Sequence, residues 1–109
     1  MAFLELKQDT YGFRVSFVAK DSDGNYIDLT NSTPWFYIGK QTSSIPFYSG
    51  QCTLGTYPKS GECYIDLPSS ATSTPGVYHG ELDIEYPSPA QNIIAQELTV
   101  IILPSVSWL

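Results

Sequence analysis

Charge is scarce in this 109-residue chain: only 15% of residues are Asp, Glu, Lys or Arg, against about a quarter in an average globular domain. Five of them are basic, and Lys7, Arg14, Lys20, Lys40 and Lys59 are scattered singly. The net charge is −6. Phosphate contacts need clustered Lys and Arg, so this pattern argues against a nucleic-acid partner and, for the same reason, against an anionic membrane surface. Long apolar runs are also missing. Val100 to Leu103 is as long as any, and is far too short to cross a bilayer. The N-terminal Met-Ala-Phe-Leu-Glu-Leu-Lys lacks a basic region followed by an apolar stretch, so no signal peptide is expected. Such a chain is made in the cytoplasm, or reaches the outside within a larger particle.

Catalytic motifs are missing as well. There is no Gly-x-Ser-x-Gly elbow, no phosphate loop and no His-Glu-x-x-His, and nothing in the sequence asks for a cofactor. His79 is the only histidine, and with Cys52 and Cys63 it falls short of the four ligands of a structural zinc site. The two cysteines enclose ten residues. They read either as a bridge across a hairpin, formed on exposure to an oxidising medium, or as two reduced, half-buried thiols. Asp21, Asp23, Asn25 and Asp28 crowd one segment, but Gly24 stands fourth from Asp21 and no Glu follows in register, unlike a calcium loop. A solvated turn accounts for them better.

What is present is turn chemistry and aromatic residues: eight Gly, eight Pro, eight Tyr, five Phe and two Trp. Frequent turns and pleated surfaces together point to an all-β domain. Residues 76–86 carry the clearest pattern. After Pro75-Gly76, the residues Tyr78, Gly80, Leu82, Ile84 and Tyr86 alternate with His79, Glu81, Asp83 and Glu85. One face should be dry and the other wet. The wet carboxylates read as a solvated or partner-facing stripe, and His79 as a surface histidine.

Further strands are expected at Leu4–Lys7, Phe13–Ala19, Tyr26–Leu29 after the Asp23-Gly24 turn, Trp35–Ile38, Gln51–Leu54, Glu62–Leu67 and Asn92–Leu103. Residues 40–50 read as a loop or weak edge strand. About seven to eight short strands with regular turns describe a β-sandwich. Its expected core comprises Phe13, Val15, Phe17, Trp35, Tyr37, Ile65, Tyr78, Leu82, Ile84, Leu98 and Val100, with Ile94 and Ile102 on the core face of the last strand.

The turn-Gly-x-Tyr opening at Gly76–Tyr78 resembles the tyrosine corner of immunoglobulin-like sandwiches, and Trp35 stands where their core tryptophan would be. Phe13-Arg-Val-Ser-Phe, Asp21-Ser-Asp-Gly-Asn-Tyr-Ile-Asp-Leu-Thr30, Ser60-Gly-Glu-Cys-Tyr-Ile-Asp-Leu67 and Thr74-Pro-Gly-Val-Tyr-His-Gly-Glu-Leu82 go further. Together they resemble the N-terminal immunoglobulin-like domain of phage upper-baseplate proteins, from about Gly12 to Leu103. The resemblance implies a single antiparallel immunoglobulin-like β-sandwich over residues 1–109. It also implies a non-enzymatic virion role, as capsid decoration or tail/baseplate subunit, assembled in the host cytoplasm in several copies with other virion proteins. Residues 104–109, with Val106, Trp108 and Leu109, read as an apolar arm for a neighbouring subunit. A cell-surface adhesion or carbohydrate-binding module is the alternative. A small hydrolase ranks last, because no nucleophile, base and orienting group come together in sequence.

Overall fold

A computed structural model describes residues 2–42, 45–87 and 90–104. Eight strands appear among them: β1 (Ala2–Lys7), β2 (Phe13–Val18), β3 (Thr33–Lys40), β4 (Pro46–Gln51), β5 (Thr53–Leu54), β6 (Glu62–Leu67), β7 (Gly76–Pro87) and β8 (Ala90–Leu103). They form two layers, a five-stranded sheet in the order β1-β8-β7-β3-β4 and a three-stranded sheet in the order β2-β6-β5. The chain is therefore an all-β sandwich, as its alternation implies. One pairing departs from the antiparallel expectation: β1 runs parallel to β8, with Leu4 opposite Val100 and Leu6 opposite Ile102.

The core lies between the sheets. Phe17 on β2 meets Phe36 on β3, with ring centroids 5.2 Å apart. Val15, Ile65 and Leu67 surround them from one layer; Ile38, Leu82, Ile84, Leu98, Val100 and Ile102 do so from the other. Tyr78 caps one end. Its phenol donates to the Thr74 carbonyl at 2.8 Å, tying β7 to the corner before it. Gly76 suits this position, because its φ of 156° is one that other residues rarely adopt and a Cβ would crowd the Tyr78 ring at 3.2 Å. At the Asp21 turn, the Asp21 carboxylate accepts from the backbone N–H groups of Asp23 (2.9 Å) and Asn25 (3.0 Å), and Gly24 takes φ 82°. The acidic cluster is thus a turn whose leading carboxylate is engaged by its own backbone.

Four expectations are corrected. Trp35 and Tyr37 are not core residues: both are half-buried, and Phe36 and Ile38 point inward in their place. Every residue of Trp-Phe-Tyr-Ile is apolar, so alternation within the segment cannot choose a face, and pairing with β7 decides. Phe13 is 42% exposed because it opens β2 opposite Leu67 at the sheet's end. Tyr26–Leu29 is no strand but a single bridge, Lys20 to Tyr26; Leu29 is nonetheless fully buried. Ile94 is 57% exposed, because β8 bulges there. Gln96 pairs with Leu82 and Ile94 with the next residue, Asp83, so Ala95 is the extra residue and the phase flips beyond it.

Phe36→Ala should therefore cost about 3–5 kcal/mol in denaturant unfolding, and Trp35→Ala only about 1 kcal/mol. Equal losses, or the reverse order, would mean that Trp35 occupies the core.

Candidate functional site

The outer face of the five-stranded sheet gathers a histidine, a phenol and several carboxyls. Three neighbouring strands build it, and register sets who meets whom. Gly39, His79 and Thr99 form one row across β3, β7 and β8; Tyr37, Glu81 and Glu97 form the next; Trp35, Asp83 and Ile94 the third. Tyr37, Gly39, Lys40, Pro46, His79, Glu81 and Asp83 line an open hollow of about 430 Å³ on this face.

Asp83 is the surprise. Alternation places it on the wet face, yet it is only 7% exposed. With Glu81 ionised, the Asp83 Oδ1 has no hydrogen-bond partner among the described residues, and the Asn92 amide lies 3.4 Å from Oδ2. Its row neighbours Trp35 and Ile94 flank it, and the bulge in β8 is what brings Ile94 to that side.

Burial, a hydrogen bond with Asp83 and the charges of Asp83 and Glu97 push the Glu81 carboxyl up from its ordinary 4.5 to about 7. Protonated Glu81 can donate to Asp83, and one proton then serves both carboxyls. Burial, reinforced by the charges of Asp83, Glu85 and Glu81, also holds the Tyr37 phenol above its ordinary value. His79 Nε2 lies 3.6 Å from Glu97 Oε1, close enough for an ion pair when the imidazole is charged. One ligand atom from each of His79, Glu81 and Glu97 falls within 4.8 Å of the others. The arrangement can hold a proton or gather a cation.

The other candidate residues lie elsewhere. Cys52 and Cys63 are both free and buried in the core. The Cys52 thiol donates to the Cys63 sulfur; that bond and burial raise Cys52, and accepting it lowers Cys63. Gly24, Gly76 and Tyr78 serve the turn and corner described above. Val106, Trp108 and Leu109 lie outside the described residues. Glu97 escaped the sequence reading altogether. Its only signal was distance from the β7–β8 turn, and the bulge at Ala95 breaks any simple count across that hairpin.

Neither a family model nor a curated protein sequence matches the chain. Among solved structures it is similar to the N-terminal domain of phage TP901-1 ORF48, with a TM-score of 0.64 and 12% sequence identity, over 94% of this chain and 85% of that one. At that identity the likeness establishes the fold.

The raised Glu81 carboxyl has a signed consequence. Below pH 4.5 Glu81 is protonated whether the chain is folded or not, so it carries no penalty. Between 4.5 and about 7 the folded chain keeps a proton that the unfolded chain has lost, and stability falls as pH rises. In metal-free buffer, the stability of Glu81→Gln relative to wild type should therefore climb across that window and level off above it. Urea midpoints for the two proteins measure this. A difference that does not change with pH would remove the proton from Glu81.

Proposed function

We propose that this chain is a non-enzymatic bacteriophage structural protein, a tail or baseplate subunit that works by being held in place among other virion proteins. The observation that carries this reading is the likeness in fold to the N-terminal domain of phage TP901-1 ORF48 across nearly the whole chain. The motif resemblance to phage upper-baseplate proteins, from Gly12 to Leu103, supports it independently of that superposition. A sparsely charged surface and exposed apolar side chains at Phe3, Tyr11, Tyr26, Ile45 and Val77 suit a module that packs against neighbours. Residues 104–109 supply the arm in this reading, with Trp108 as its largest anchor and Val106 and Leu109 beside it. Capsid decoration is the variant of the same role.

One observation favours the carbohydrate-binding alternative: Trp35 and Tyr37 stand on the outer face beside Glu81 and Asp83, where aromatic rings and carboxylates can engage a sugar. Glycan-array binding that is lost in Trp35→Ala, by a chain absent from particles, would favour that reading.

Mass spectrometry and immunogold labelling of particles purified from cells expressing the gene with its flanking genes test the proposal. The full chain should be a stoichiometric particle component, while a chain lacking residues 104–109 should fold but stay in the soluble fraction. Absence of the full chain from particles overturns the structural role. Normal incorporation of the truncated chain overturns the arm.

A further inference from the structure

Glu81 on β7 and Glu97 on β8 are register partners, so two carboxylates stand directly opposite one another on the outer face. Like charges in that position oppose strand pairing, and either a proton or a cation between them relieves the repulsion. His79 lies two residues before Glu81 and on the same face, since side chains of one strand share a face at every second residue. The three side chains bring one ligand atom each within 4.8 Å of the others. A cation bound at about 2.0–2.2 Å by nitrogen and carboxylate oxygen spaces its ligand atoms roughly 3–4 Å apart. Small rotamer changes close the gap, because His79 and Glu97 are partly exposed, with side-chain exposures of 44% and 63%.

A second feature points to the same place. Asp83, two residues past Glu81, lines the hollow together with His79 and Glu81. It is more than nine-tenths buried, and with Glu81 ionised, as a cation ligand must be, its Oδ1 has no partner among the described residues. A buried carboxylate oxygen left unpaired is costly. Lys40, at the hollow's rim, is exposed. Arg14 belongs to the other sheet, where it pairs with Asp66 at 2.8 Å. A cation held by His79, Glu81 and Glu97 would supply, through a water in its shell, what Oδ1 lacks.

We propose that His79, Glu81 and Glu97 form a three-ligand site for a divalent first-row transition cation of the zinc class, with Asp83 accepting from cation-bound water. One imidazole and two carboxylates match zinc and its neighbours better than calcium, which favours all-oxygen sets. The site ties β7 to β8 on the outer face. It leaves a coordination position open toward solvent, where a water or a side chain from a docked neighbour completes the shell.

The test uses the full, tag-free chain stripped with EDTA and titrated with zinc chloride by calorimetry. Binding of one zinc per chain is expected. His79→Ala and Glu97→Gln should each weaken it by about tenfold or more, and Asp83→Asn by up to about tenfold. Lys40→Ala should not weaken it. The chain has one histidine, so its imidazole NMR signals identify the site without any substitution. Zinc should move them at one equivalent, which also keeps the test decisive should a variant fail to fold and separates this site from the buried thiols. No zinc binding at millimolar concentration, binding that leaves the His79 signals in place, or calcium binding at least as tightly as zinc would each overturn the assignment.

Discussion

The pairing of β3 with β7 governs both faces of the larger sheet. Phe36 stands opposite Leu82, Ile38 opposite Gly80 and Pro34 opposite Ile84, and these inward residues pack on Phe17 and the smaller sheet. Because side chains alternate, the same register sends Trp35, Tyr37, Glu81 and Asp83 outward together. A slip of one residue would exchange the two sets. If β3 slips, Phe36 and Ile38 are left in water and Trp35 and Tyr37 turn into the core; if β7 slips, Glu81, Asp83 and Glu85 are buried instead. The hydrophobic effect on one face thereby places the chemistry on the other.

Legibility in the sequence followed the strength of alternation. In β7 the inward stripe Tyr78, Leu82, Ile84 could be read directly, and so could the Tyr78 corner, because turn, glycine and tyrosine are close in sequence. Val15 and Phe17 on β2, and Ile65 and Leu67 on β6, were equally plain. The Trp35–Ile38 segment has no polar residue to set its phase, so its face depends on a partner strand distant in sequence. The β8 bulge at Ala95 reverses phase within one strand, which misplaced Ile94. The parallel seating of β1 joins the two ends of the described chain, and local pattern carries no information about such a contact.

The candidate site was half visible for the same reasons. His79, Glu81, Asp83 and Glu85 share a strand, so their common face followed from period two. That Asp83 would be buried did not follow, since its row neighbours Trp35 on β3 and Ile94 on β8 are set by cross-strand register. Glu97 needed the register across a bulged hairpin. The resulting group is one imidazole and three carboxyls on a sheet whose fold is similar to that of the N-terminal domain of phage TP901-1 ORF48. Under the proposed role, a proton on Glu81 or a cation among His79, Glu81 and Glu97 would alter the charge and rigidity of a face available to neighbouring subunits.

The register of β3 against β7 is the claim on which all of this rests, and it can be measured without altering the protein. Interstrand nuclear Overhauser contacts in uniformly labelled chain report which backbone positions face each other. The account predicts contacts linking Phe36 with Leu82, Trp35 with Asp83 and Tyr37 with Glu81. Contacts linking Phe36 instead with Glu81 or Asp83 as its direct partner would place Trp35 and Tyr37 on the inner face, and would contradict both the core and the site described here.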